Sequence, residues 1–150
     1  MQDLYFEIYI AAKPQAVWAA LTGQEGVAAL YFGSRLEASF MPGSPYSYIG
    51  PDGKGNEVVH VEGTVVACKP NELLQLTHQA GSIWRTDPRI YRSRIAYAMA
   101  DQGFATKLSV THDQWEEGDP GYVHNAQGWM LFLSSAKSYI ETGKPFDLPM

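Results

Sequence analysis

Hydrophobic and polar residues alternate from the first residues of the chain. Leu4, Phe6, Ile8 and Ile10 share one parity, and Tyr5, Glu7 and Tyr9 the other. A period of two predicts a strand with one buried face. The period then changes. In KPQAVWAALTG, Val17, Trp18 and Leu21 recur at helical spacing behind Pro14, which suits a first helical turn, and Gly23 ends the segment. QEGVAALYF predicts a second short helix. After it the strand character returns. SRLEASFM alternates, GSPYSYIGPDGKGN offers a short strand and a glycine-rich turn, EVVHVEGTVVAC is a long strand, KPNE a turn and LLQLTHQ the next strand. Asp87 and Pro88 would interrupt a ladder, so GSIWRTDPR reads as an excursion, with Trp84 a candidate lid. IYRSRIAYAMA, the turn DQG and FATKLSVTHDQW predict a hairpin. EEGDPG punctuates before a last helix over Tyr122 to Thr142, with Gly143 at its C′ position and Pro145 beyond.

The order is therefore one strand, two short helices, six strands and a long helix, which predicts an α+β fold with an antiparallel sheet. Such a sheet needs a cover for its buried face, and the C-terminal helix is the element large enough to provide it. In GWMLFLSSAKSYIETGKPF the apolar residues exceed a single stripe. Trp129, Met130, Leu133, Ala136 and Ile140 follow helical spacing and predict core, whereas Leu131, Phe132 and Tyr139 lie outside it. These three are expected to meet the N-terminal helices, line a cavity or form a dimer contact. A curved sheet around a helix leaves volume that side chains fill with difficulty, which predicts a cavity between the two.

A chain of 150 residues predicts one domain over 1–150. Hydrophobic residues at 45% and charged residues at 18% are those of a globular protein. A net charge of −5 and a pI near 5.3 argue against nucleic acid as a partner, which would require a basic face. The single cysteine, Cys68, precludes an internal disulfide and fits the cytoplasm. The N-terminal run carries Asp3 and Glu7 without a basic stretch, so no signal peptide is expected. No apolar run approaches the roughly 18 residues of a membrane span. Aromatic residues, at 13%, supply large buried area with polar tips on Tyr and Trp, suited to filling a core or lining a pocket.

Three segments, in this order and spacing, carry a resemblance over nearly the whole chain: AKPQAVWAALTG, SRIAYAMADQGFATKLSVTHDQW and GWMLFLSSAKSYIETGKP. Within them the most specific positions are Pro14, Val17, Trp18, Leu21 and Thr22. Lys107, Leu108, Thr111, His112 and Asp113 follow in the middle, and Gly128, Trp129, Leu133, Lys137, Glu141, Thr142 and Gly143 at the end. The chain resembles the family of activator-of-heat-shock-protein-90-ATPase homologues, within the START-like (SRPBCC) superfamily. The resemblance implies a helix-grip fold: a sheet of about seven antiparallel strands around the last helix, with an apolar tunnel between. Members of the superfamily include lipid and hormone binders, aromatase/cyclase enzymes and a co-chaperone domain. In the co-chaperone this domain accompanies a separate N-terminal domain, for which these 150 residues leave no room.

Strand parity selects the polar residues that face the expected cavity. His78 shares a face with Leu74 and Leu76, and His112 with Phe104, Leu108 and Val110. Tyr91, Ile95, Tyr97 and Met99 point one way, Arg92 and Arg94 the other. Glu62 falls in phase with Val58, His60 and Thr64, on a face read as the outer one. Both histidines are expected at the cavity rim. His60, His78, His112 and His124 lack metal-ligand spacing, the GPDGKGNE glycines lack the ending of a phosphate loop, and no nucleophile elbow occurs. No catalytic set, metal or cofactor is expected. The leading expectation is a binder of a small apolar molecule, walled by Trp18, Tyr31, Leu76, His78, Tyr97, His112, Trp129, Met130 and Leu133. A chaperone-binding interaction module and a cyclase-type enzyme are the alternatives, and a homodimer is one assembly open to the chain, whose sequence does not decide its oligomeric state.

Overall fold

The alternation at the N-terminus becomes strand β1 (Leu4–Ile10), whose even-numbered residues turn inward. Pro14 opens α1 (Pro14–Thr22), and Gly23 both ends it and starts α2 (Gln24–Leu30). The Gly23 N–H donates to Ala19 O at 2.8 Å, while its own carbonyl accepts from the Val27 N–H at 3.0 Å. Six strands follow: β2 (Arg35–Ala38), β3 (Pro45–Pro51), β4 (Glu57–Lys69), β5 (Leu73–Ala80), β6 (Ser93–Asp101) and β7 (Thr106–Asp113). Ser82–Trp84 form a single 3-10 turn within the β5–β6 excursion, and α3 (Gly121–Thr142) closes the order. This is a computed structural model, and it describes residues 1–149.

The strands form one seven-stranded antiparallel sheet in the order β1-β7-β6-β5-β4-β3-β2. Strands β2 to β7 are joined as successive neighbours, and β1 returns to pair with β7 from Leu4↔His112 to Ile10↔Thr106. Two extra residues interrupt β4. Tyr48 faces Val61 and Ile49 faces Val59, so His60 is the unpaired residue of a bulge. Val65 faces Leu76 and Ala67 faces Gln75, which leaves Val66 unpaired in a second bulge. Each bulge bends its strand and increases the local twist, curving this side of the sheet around α3.

The core lies between the concave sheet face, α1–α2 and α3. Ile10, Val17, Val27, Val65, Leu108, Val110 and Leu133 have no measurable exposure there. Gly143, at φ 82°, ends α3 as its position predicts, with its N–H on Tyr139 O at 2.8 Å. Glu141 ties the helix to the link between β1 and α1 by accepting from the Ala11 N–H at 2.7 Å. Lys137, at the solvent edge, bridges Glu141 and Tyr9 O, each at 2.7 Å.

Two departures come from strand starts. Phe104 precedes β7, lies in the turn and is 79% exposed against Tyr9, so Thr106 takes the first buried position instead. Tyr91 likewise precedes β6, and Ser93 opens the inward face. A third comes from the bulge in β4: His60, assigned by parity to the outer face with Glu62, is 4% exposed. The bulge shifts the parity of the strand by one residue at that point.

Candidate functional site

Between the sheet and α3 lie two adjoining chambers, an inner one of about 300 Å³ and an outer one of about 380 Å³. Tyr31, Phe32, Tyr48, Val61, His78, His124, Asn125 and Pro149 border both. Leu76 and Ile95 from the sheet and Trp129 and Phe132 from α3 wall the inner chamber. Neither lining contains Lys, Arg, Asp or Glu. Aromatic rings form a connected part of the wall. Tyr31 packs on Tyr48 and on Phe132, with centroids 4.6 and 4.9 Å apart, and Tyr97 meets Trp129 edge-on at 5.9 Å. The Tyr31 and Tyr97 hydroxyls share a hydrogen bond of 3.1 Å. Burial pushes the Tyr97 phenol up to about 12 and those of Tyr31 and Tyr48 higher still, so all three remain neutral hydroxyls at ordinary pH. A larger hollow, about 680 Å³, opens beside Glu37, Glu62 and Arg92, and it meets the inner chamber's wall at Tyr46.

Behind the chambers lies a buried polar chain. The Trp129 indole N–H donates to His112 Nδ1 at 3.1 Å, and His112 Nε2 lies 2.7 Å from Ser93 Oγ. Ser93 Oγ is in turn 3.4 Å from His78 Nδ1. Register places all three on one face, because His112 pairs with Ile95 and Ser93 with His78. Trp115 stacks on the His112 ring at 4.0 Å and donates its indole N–H to the His112 carbonyl at 2.9 Å. Burial lowers the His78 pKa to about 4, and burial followed by the neighbouring His78 lowers that of His112 to about 2. Both rings are neutral at pH 7.

Residues 11–141 match the family described as activator of Hsp90 ATPase homolog 1-like protein. The chain belongs to that family. No curated protein sequence matches it. Solved structures share its fold. The Aha1 dimer from Colwellia psychrerythraea is 23% identical, with a TM-score of 0.72 over 96% of this chain and 99% of that one. DynU16, from the dynemicin biosynthetic locus, is 22% identical with a TM-score of 0.73, covering 97% of this chain and 49% of the other. CalU16 from Micromonospora echinospora is 17% identical with a TM-score of 0.69, covering 97% and 77%. The seven-stranded sheet gripping α3 is the helix-grip fold that the sequence resemblance implies.

The fold brings five of the nine expected wall residues to the cavity: Tyr31, Leu76, His78, Tyr97 and Trp129. Four lie elsewhere. Trp18 packs on the core from α1. His112 is fully buried one layer behind His78, because β7 lies beyond β6 from the chambers. Leu133 is sealed in the core at 0% exposure. Met130 is 41% exposed: it lies about 100° around α3 from Trp129, on the side away from the cavity-lining Asn125, Gly128 and Phe132. Trp84 borders the outer chamber, 5.6 Å from His60, 6.0 Å from Phe32 and 6.3 Å from His124 between ring centroids.

Several residues escaped sequence reasoning. Tyr48 alternates with Tyr46 in β3, and both are buried, although so short an alternation does not by itself tell which parity turns inward. Ser93 shares the parity of Ile95 and Tyr97, a signal that its small polar side chain concealed. The segment after Gly143 folds back along α3, where the Phe146 N–H donates to Ser135 Oγ at 2.9 Å and Leu148 and Pro149 reach the inner chamber. Among the described residues no group of three His, Cys, Asp or Glu is arranged to hold a metal. No helix of the structure is long and apolar enough to cross a membrane. Cys68, whose thiol burial pushes upward in pKa, lies outside the chambers.

Proposed function

We propose that this protein binds a small, uncharged, largely apolar molecule between its sheet and α3. The observation that carries the reading is the pair of adjoining chambers lined by aromatic and aliphatic side chains without a charged one. Burial of apolar ligand surface there supplies about 25 cal/mol per Å² before the losses of association. Hydroxyl and imidazole tips set orientation, as few polar groups do in most small-molecule sites. A charged ligand would enter a wall with no counter-charge.

The test uses N-phenyl-1-naphthylamine, a neutral apolar fluorophore, with native mass spectrometry of the purified protein. The expected result is saturable probe binding that Gly128→Leu abolishes. A Cβ at Gly128 meets no atom within 4 Å, so the new side chain fills the inner chamber without disturbing the fold. Absence of both probe binding and any retained small molecule would exclude the reading.

For assembly, the outer flank of α3 favours a homodimer. Val123 and Met130, seven residues apart on one helical face, are 61% and 41% exposed, and a solved relative by fold is an Aha1 dimer. Sedimentation equilibrium is expected to find a dimer that Met130→Lys dissociates; a monomer at all concentrations counts against it.

A further inference from the structure

The polar chain behind the cavity has a direction, and one end of it faces the chambers. An indole N–H can only donate, so His112 Nδ1, 3.1 Å from Trp129 Nε1, is an acceptor and carries no proton. The neutral ring then holds its proton on Nε2, which donates to Ser93 Oγ at 2.7 Å. The Ser93 hydroxyl is buried, at 5% exposure, and His78 Nδ1 at 3.4 Å is the acceptor open to its hydrogen among the described residues. A buried hydroxyl left without an acceptor costs about 1–3 kcal/mol, which orients it toward that nitrogen. His78 Nδ1 is thereby an acceptor as well, and the His78 proton is fixed on Nε2.

His78 borders both chambers, and its Nε2 makes no hydrogen bond with any described residue. Nor is that nitrogen among the sealed, unpartnered polar atoms, of which Ser34 Oγ is the one present among the described residues. The atom is a donor open to the cavity. Resting on the reading of the chambers as a small-molecule site, we propose that they select an apolar molecule bearing an uncharged oxygen acceptor of carbonyl type, which receives the His78 Nε2–H. A carboxylate would place a charge where the lining offers no cation. A pure hydrocarbon would leave the His78 donor stripped of water and unpartnered. The tautomer is set from behind, by Trp129 through His112 and Ser93, so the site is prepared for an acceptor before a ligand enters.

Two matched probes test this: 2-acetylnaphthalene and 2-isopropenylnaphthalene, which replaces the carbonyl oxygen by a methylene group. Each is titrated against the intact protein and its His78→Phe variant by tryptophan fluorescence. The expected result is a ketone affinity about fivefold weaker in the variant, the value of one neutral hydrogen bond, with an alkene affinity that is tighter, because the variant has no donor left to strip of water. Equal loss for both probes, or no loss for either, overturns the acceptor assignment while the apolar cavity stands. Failure of the wild-type protein to bind either probe removes the cavity reading and this inference with it. A second measurement needs no ligand: imidazole nitrogen NMR is expected to show His78 protonated on Nε2 and bare on Nδ1. In Ser93→Ala that preference is expected to relax. A proton on His78 Nδ1 in the wild-type protein overturns the proposal.

Discussion

The two halves of the sheet build the cavity by different means. From β5 to β7 the register is unbroken, running from Leu73↔Ala98 to His78↔Ser93 and from Arg94↔Asp113 to Asp101↔Thr106. Parity therefore holds from end to end, and Leu76, His78, Ser93, Ile95, Tyr97 and His112 share the inward face. Between β3 and β5 the register slips twice, at His60 and at Val66. A side chain there faces inward because of a bulge and in spite of its parity. The regular half is a rigid wall with a hydrogen-bonded polar chain behind it. The bulged half supplies curvature, and with it the mouth where His60 meets Trp84.

The regular half is expected to be the more expensive to disturb. His112→Leu puts an apolar side chain of similar size in place of the imidazole and so removes the acceptor of the Trp129 indole N–H and the donor to Ser93. Two buried polar groups lose partners at once, and a loss of about 4 kcal/mol is expected. Urea denaturation checks it through a lower midpoint at unchanged slope. A loss comparable to that of an ordinary surface substitution would show that the polar chain does not organise this wall.

The bulged half is expected to fail at the residue that clamps its bulge. The Gly81 N–H donates to His60 O at 2.8 Å, and a Cβ on Gly81 would lie 1.9 Å from Val59 O. The obstacle is backbone and cannot rotate away, so Gly81→Ala is expected to lower stability by about 3 kcal/mol. Its signature differs from that of His112→Leu. The strand displacement moves His60, and amide exchange is expected to rise in β4 while β6 and β7 keep their protection.

This contrast also explains what the sequence revealed. Strand count, element order, the end of α3 at Gly143 and five cavity residues follow from period, turn chemistry and the family resemblance. Tyr97 and His78 were readable because nothing interrupts their strands. His60 was not, since a bulge shifts parity without a motif; its trace is the apolar run on both parities, Val58, Val59, Val61, Val65 and Val66. Met130 and Phe132 exchanged places for a related reason. Helical spacing defines a stripe, but not which flank of that stripe meets the empty volume. Leu148 and Pro149 follow a helix stop, beyond which no periodicity tells where a chain returns.

Acid provides a gentler perturbation confined to the regular half. Both inner histidines have folded-state pKa values below the ordinary 6.5, at about 4 for His78 and about 2 for His112. Below pH 6.5 the unfolded chain therefore binds more protons than the folded one, and stability falls as pH drops. For His78 the loss accumulates from pH 6.5 down through pH 4, and on the order of 3 kcal/mol is expected across that window. Urea midpoints at a series of pH values measure it. In His78→Phe the dependence between pH 6.5 and 4 is expected to shrink; an unchanged slope would assign it to other groups.

The mouth is expected to show the smallest energetic effect and the clearest kinetic one. Trp84 lies on a short turn inside the β5–β6 excursion, half-buried, held by contacts with His60, Phe32 and His124 rather than by a ladder. Its removal opens the outer chamber without touching the core, so Trp84→Ala is expected to lower stability by less than about 1 kcal/mol. If the side chain gates entry, the variant speeds association and dissociation of N-phenyl-1-naphthylamine together, leaving the dissociation constant nearly unchanged. Stopped-flow fluorescence separates the two rates. A faster dissociation alone would make Trp84 a wall of the site, and unchanged rates would leave it an anchor of its own loop.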